Sequence, residues 1–303
     1  MNYYSLLENG IISNIIRLTP FRVLSLFIRI YSSVLNITER NKDLIIIKSN
    51  IKLAFPQKTQ QQIATIAKKT TFEKLRYFLD LGVLMHKPES YINSNISNKV
   101  TIVGSENFTE ALASDKGVFL VSAHFACFYY MLLANIPELT EVNILKAFNS
   151  NGRESLCDKL ESLTKKEING IYIKDKFSSM RTYKKLKSKK LVACMFDNFF
   201  DDTTLVSANF LGYSALASAG VAALAIKSNA ILLPTFIVRN ETGYVLEVSK
   251  MIDSKKYSEF SMNNQIVKLT TDLNQTIENS ITKYPEQWQA WTTLDRRWNL
   301  LDE

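Results

Sequence analysis

Of the two histidines in the chain, His86 and His124, only His124 stands where an open α/β sheet does its chemistry. It closes GVFLVSAH, in which Gly117 precedes an apolar run, Val118–Ala123, that reads as a buried strand. Ligands and reactive groups gather at the carboxyl ends of such strands. Imidazole titrates near neutral pH, so a strand-end histidine suits a general base. Asp197 ends a second apolar run, LVACMF, in the same way. If the two strands are neighbours, imidazole and carboxylate share one cleft. The plainer alternatives are a satisfied half-buried histidine and a loop-capping aspartate. His86 lies beside Met85 and Lys87 at the end of an early helix, away from that cleft. Cys127, Cys157 and Cys194 are odd in number and widely spaced, which points to a reducing compartment without disulfides. Cys127 as a nucleophile needs a thiolate beside His124; a buried cysteine is ordinarily a small apolar residue. Two histidines leave no basis for a His-based metal site, so none is expected.

These residues need a scaffold of alternating strands and helices. From Lys99 onward, strands are expected at Val100–Val103, Val118–Ala123, Val142–Phe148, Ile171–Ile173, Leu191–Phe196, Val206–Phe210 and Ala230–Val238. Helices are expected at Glu106–Ala113, Phe125–Ala134, Glu154–Lys166, Ser178–Ser188 and Ala215–Lys227. That order predicts an α/β fold whose central sheet is mostly parallel and flanked by helices. Tyr244–Val248 reads as a hairpin partner of the preceding strand, and Glu259–Tyr284 as a last long helix. Earlier, Thr59 and Gln62 form a capping-box pair opening a helix to about Leu84, with Pro88 beyond its end. Asn50–Pro56 reads as a short link. Gly212 lets the backbone turn before the small-residue run Ala215–Ala225. Asp201 and Asp202 read as solvated.

The N-terminus has no basic, apolar and small-residue sequence of a signal peptide. In Phe21–Ile37 the polar residues Arg22, Ser25, Arg29, Ser32 and Asn36 recur every three or four positions, one narrow helical stripe on an otherwise apolar segment. Two arginines argue against a spanning helix and for one lying in a membrane interface, the alternative being a helix packed on the core or on a partner. The net charge of +8 predicts an acidic partner: anionic lipid or an acidic carrier protein. No basic block interleaves with aromatics, so nucleic acid is not expected. Residues 1–45 are read as an amphipathic membrane-associated segment and 46–303 as one α/β domain. The tail, PEQWQAW and then Arg296, Arg297 and Trp298, reads either as docked on the core by cation–π contacts or as touching lipid head groups.

Taken together, Asn50–Pro56, Gly104, Gly117–His124, Phe196–Asp197, Phe210 to Pro234, PEQWQAW and RRW resemble the bacterial lipid A late acyltransferases, within the lysophospholipid acyltransferase superfamily. The resemblance covers nearly the whole chain. It implies a glycerolipid-acyltransferase-like α/β fold with a membrane-associated N-terminal helix, at the cytoplasmic face of the bacterial inner membrane. It also implies transfer of an acyl chain from acyl carrier protein or coenzyme A to a hydroxyl, with no cofactor beyond the donor thioester. The family pairs its histidine with an acid five positions on; here that position is Tyr129. Ala126 and Cys127 stand where members resemble Gly and Asn, and the arginine of the later helix is at best replaced by Lys165 or Lys166. The expected catalytic set is therefore His124, Asp197 and Tyr129. Phe125, Phe128, Leu211, Gly212 and Arg153 are the expected substrate contacts. Acyl transfer to a hydroxyl or amine is the leading reading; the alternatives are thioester hydrolysis and a non-catalytic relative that binds an acyl chain or carrier.

Overall fold

The computed structural model describes residues 7, 9–37, 42–146, 153–198 and 204–298. Five parallel strands carry the site: β2 (Val118–Ser122), β3 (Glu141–Lys146), β4 (Glu167–Tyr172), β5 (Leu191–Met195) and β8 (Ile231–Arg239). With β1 (Val100–Val103), β9 (Tyr244–Val248) and β10 (Ile252–Asp253) they form an eight-stranded sheet among the described residues, in the order β1-β9-β8-β2-β5-β3-β4, with β10 paired to β8. The fold is α/β with a mostly parallel sheet, as the alternation predicts. Its middle strand, β2, is buried on both faces. Phe119 and Val121 enter one apolar cluster; Val118 and Leu120 enter the other. Continuous apolar character is what a strand covered on both sides requires. Gly117 leads into it, and a Cβ there would lie 2.1 Å from the Leu186 carbonyl oxygen, so this crossing admits only glycine.

The N-terminal helices are α1 (Gly10–Leu18), α2 (Phe21–Ile37), α3 (Lys42–Ala54) and α4 (Gln60–His86). Thr59 and Gln62 do form the capping box at the start of α4. Asn50–Ala54 is the last turn of α3 rather than a link, and the Asn50 side chain donates to the Trp291 carbonyl at 2.7 Å. That distant acceptor is what sequence spacing does not reveal.

Two further corrections concern the site. Phe125–Ala134 is not one helix: Ala126 adopts φ +39°, and only Phe128–Leu133 winds, as a 3-10 turn. Before it, Phe125 bridges Trp288 and the Ala126 N–H donates to the Gln287 carbonyl, so the C-terminal tail holds this segment out of a helix. The expected helix Ala215–Lys227 is instead strand β7 (Tyr213–Ser218) followed by a helix over Gly220–Ser228. β7 folds back on β6 (Leu205–Phe210) with Phe210 opposite Tyr213. Leu211 and Gly212 between them have φ of +50° and +83°, the two left-handed positions of a type I′ hairpin. The small residues Ala215 and Ala217 thus alternate inward on a strand.

Helix α2 packs on α4 through part of its polar stripe. Ser32 is buried, the Asn36 amide donates to the Lys68 carbonyl, and the Arg29 guanidinium lies over the Phe72 ring of α4. Much of the polar stripe therefore faces the protein. Leu26, Phe27, Ile30 and Val34 face outward, more than half exposed. Among the described residues no single helix is long and apolar enough to cross a membrane; α1 and α2 pass that test only as a pair bent by 120°.

Candidate active site

Strands β2 and β5 run in parallel register, with Ser122 opposite Met195. Two residues further along each strand stand His124 and Asp197. The register alone brings the imidazole to the carboxylate. His124 Nδ1 lies 2.7 Å from Asp197 Oδ1, and the His124 backbone N–H donates to Oδ2 at 2.8 Å. The Trp288 indole N–H donates to the same Oδ2 at 2.8 Å. A carboxylate only accepts, so it holds the proton on Nδ1 and leaves Nε2 as the basic atom.

The Asp197 side chain is fully buried, whereas that of His124 is 30% exposed. Burial pushes the Asp197 carboxyl up, but the facing imidazole and these hydrogen bonds outweigh it and hold the group below the ordinary carboxylate range. Burial pulls His124 down; the Asp197 charge and hydrogen bond outweigh that and raise it above the ordinary imidazole value. The pair is built to keep the carboxylate ionised and to stabilise an imidazolium.

Sequence reasoning missed Trp288. It lies 91 residues beyond Asp197, inside the PEQWQAW tail. That tail docks as an antiparallel strap along the His124 segment. Ala126 N–H donates to the Gln287 carbonyl, Phe125 bridges Trp288, and Gln289 N–H donates to the His124 carbonyl. The Gln287 side chain in turn exchanges two hydrogen bonds with the Arg239 backbone at the end of β8. Trp288 and Trp291 are fully buried and pack edge to face, and Arg297 stacks 3.9 Å over Phe210. The tail is docked on the core, as the cation–π reading expected, and its tryptophans are closed to lipid.

The expected substrate residues divide. Phe128 packs edge-on against His124 with ring centroids 5.2 Å apart, stacks on Tyr77, and touches the ring of Tyr129. Tyr129 is therefore one ring away from the imidazole, whose Nδ1 is taken by Asp197. Phe125 is fully buried against Phe236 and under the strap, so it does not wall an open groove. Leu211 is buried in the core cluster that holds Trp288, and Gly212 is the exposed tip of its hairpin. Arg153 begins the helix Arg153–Thr164, but its side chain lies outside the described residues, as do Asp201 and Asp202. Lys166 does not face His124: its ammonium donates to the carbonyls of Leu132 and Ala134 and ties down the 3-10 turn. Burial and the Asp80 charge push the Cys127 thiol well above the ordinary range, which removes the thiolate that a nucleophile needs.

A half-buried imidazole whose Nδ1 is held by a buried carboxylate has Nε2 left to take a proton from a hydroxyl or amine as it attacks a carbonyl. A family model described as bacterial lipid A biosynthesis acyltransferase matches residues 3–299 of this chain. Among solved structures, the 1-acyl-sn-glycerophosphate acyltransferase PlsC from Thermotoga maritima is similar at 13% identity and a TM-score of 0.39, over 86% of this chain and 95% of that one. None of the curated proteins matches.

Proposed function

The chain belongs to the bacterial lipid A biosynthesis acyltransferase family, and from that premise we propose that it moves an acyl chain from a thioester to a hydroxyl or amine with His124 as general base. The observation that carries this reading is the 2.7 Å contact between His124 Nδ1 and the buried Asp197 carboxylate. The acceptor O–H or N–H gives its proton to Nε2 as its heteroatom attacks the thioester carbonyl carbon. The tetrahedral intermediate then expels the thiolate, and the imidazolium returns the proton to sulfur. Asp197 stays ionised throughout and stabilises the charged ring, as carboxylates do in such pairs. The donor is an acyl carrier protein or coenzyme A thioester. Its acyl chain lies against the half-buried rings of Phe128 and Tyr77 beside the imidazole.

The work is done at the cytoplasmic face of the inner membrane. Support comes from the outward apolar faces of α1 and α2, where Leu18 is 78% exposed and Phe27 64%. A continuous apolar surface of this kind is costly in water and is a mark of a lipid or partner contact. The +8 charge suits an anionic bilayer. Residues 46–303 carry the chemistry, and the segment before them docks it.

The test is incubation of the purified protein in lipid with acyl carrier protein thioester and a hydroxyl or amine acceptor, wild type against His124→Ala. Acyl transfer lost in the variant is the expected result. Release of free fatty acid without transfer would replace the reading by thioester hydrolysis. Tight acyl binding without turnover would replace it by a binding role.

A further inference from the structure

A cavity of about 370 Å³ opens where α1 meets the C-terminal turn of α4 and the helix Arg153–Thr164. Arg17, His86, Lys87 and Lys159 line it with Ser13 and Asn14, and its lining contains no carboxylate. Lys87 is 6% exposed. Its ammonium donates to the carbonyls of Arg17 and Thr19 at the end of α1, at 2.9 and 2.8 Å. His86 Nε2 lies 2.9 Å from the Leu7 carbonyl oxygen. Among the described residues no carboxylate pairs with any of the four. The cations Arg17, Lys87 and Lys159 at one cavity repel each other, and an anion among them relieves that repulsion. A phosphate offers several acceptor oxygens to Arg and Lys donors at once.

The setting of the cavity says where that phosphate comes from. On α1, Ile11, Ile15 and Leu18 fall at i, i+4 and i+7 and form an apolar stripe that is at least half exposed. Asn14 and Arg17 stand on the flank of that stripe, at the cavity mouth. A free anion has no use for an apolar rim; a phospholipid needs both, with acyl chains against the stripe and the headgroup in the pocket. The cavity is also separate from the catalytic pair. His86 lies nine residues along α4 from Tyr77, the ring next to Phe128, about 14 Å at the helical rise.

We propose that this cavity binds the phosphate of an anionic membrane phospholipid and so fixes how the protein sits on the bilayer. The proposal rests on the membrane-docking reading above. Its test is sedimentation of the full chain with vesicles of phosphatidylcholine alone and of phosphatidylcholine with phosphatidylglycerol. The double variant Arg17→Gln/Lys159→Gln is compared with Lys184→Gln/Lys187→Gln, which removes the same charge from an exposed helix elsewhere. Wild type is expected to prefer the anionic vesicles. The cavity variant should lose about ten- to thirtyfold of that preference with its binding to phosphatidylcholine unchanged, the scale set by two basic side chains at an anionic surface. The control should keep the preference. Equal losses in both variants, or none in either, would overturn the pocket while leaving membrane docking intact. Failure of wild type to bind either vesicle would overturn docking, and the pocket with it. Calorimetry with inorganic phosphate separates the remaining source: binding as tight as to the vesicles, lost in the cavity variant, would make this a free-anion site and refute the lipid assignment.

Discussion

Asp197→Asn leaves the shape of the site nearly unchanged and alters only what its atoms can do. The wild-type carboxylate accepts from three donors: His124 Nδ1–H, the His124 backbone N–H and the Trp288 indole N–H. Asparagine offers one accepting oxygen and one amide that donates. Two of the donors, the backbone and the indole, converge on Oδ2, so the carbonyl oxygen of the variant is held there. Its NH₂ then faces His124 Nδ1, which must become the acceptor. The ring proton moves to Nε2, the atom that has to receive the acceptor's proton. The base is blocked by its own tautomer and the imidazolium loses its counter-charge. Tautomer inversion of this kind in a histidine–aspartate pair costs about 10³–10⁴ in kcat. At 1.36 kcal/mol per decade that is about 4–5.5 kcal/mol of transition-state stabilisation. The assay is single-turnover acyl transfer from the carrier thioester, with circular dichroism and thermal melting to show that the variant is folded. A folded Asp197→Asn protein within about tenfold of wild type, alongside an inactive His124→Ala, would refute the dyad and leave His124 as a base without this partner.

Trp288→Phe keeps most of the ring volume but removes one donor from a buried carboxylate; a stability loss of about 1.5–3 kcal/mol is expected in urea unfolding, with an unchanged denaturant slope. Because the Asp197 contact raises the His124 pKa, neutral base accumulates only at higher pH. Activity should therefore rise with pH through a midpoint above about 6.5, the ordinary imidazole value, and a kcat/KM profile with its acid limb at or below that value would contradict the arrangement. Tyr129→Phe should keep kcat within about threefold of wild type, since Asp197 already occupies Nδ1; a loss of a hundredfold would give Tyr129 a part in the chemistry. Leu26→Glu with Phe27→Glu removes two apolar side chains from the outward face of α2, each worth about 1.5–3 kcal/mol when buried. Most of the protein should move from the membrane pellet to the supernatant, and unchanged pelleting would count against lipid contact through this helix.

The strand order carried the site far into what sequence can show. Apolar runs ending at His124 and Asp197 locate both groups at strand ends, and parallel pairing of β2 with β5 does the rest. Trp288 was not legible because its hydrogen bond is long-range and leaves no periodic trace. The same holds for the Asn50 contact with Trp291, which turned an apparent link into a helix end. The β6–β7 hairpin was hidden by Leu211, a branched residue in a left-handed position that ordinarily favours Asn, Asp or Gly. Ala126 at φ +39° broke an apolar run that reads as helix, because the strap supplies hydrogen bonds that a helix would otherwise make internally. For α2 the stripe is plain in the sequence but its direction is not. Water favours turning apolar residues inward, and only the packing of Arg29 and Asn36 on α4 shows the opposite facing.

The strap also sets a clock. Asp197 emerges from synthesis 91 residues before Trp288. At 5–20 residues per second, that interval lasts about 5–18 s. During it, the strand pair can already bring imidazole and carboxylate together, yet one acceptor face of the carboxylate and the whole edge of the His124 segment await a partner. Completion of the hydrogen bonds around Asp197 is thus among the last steps open to the nascent chain. A polypeptide cut short after Asp197 and before Gln287 carries both members of the pair and none of the contacts that the tail supplies.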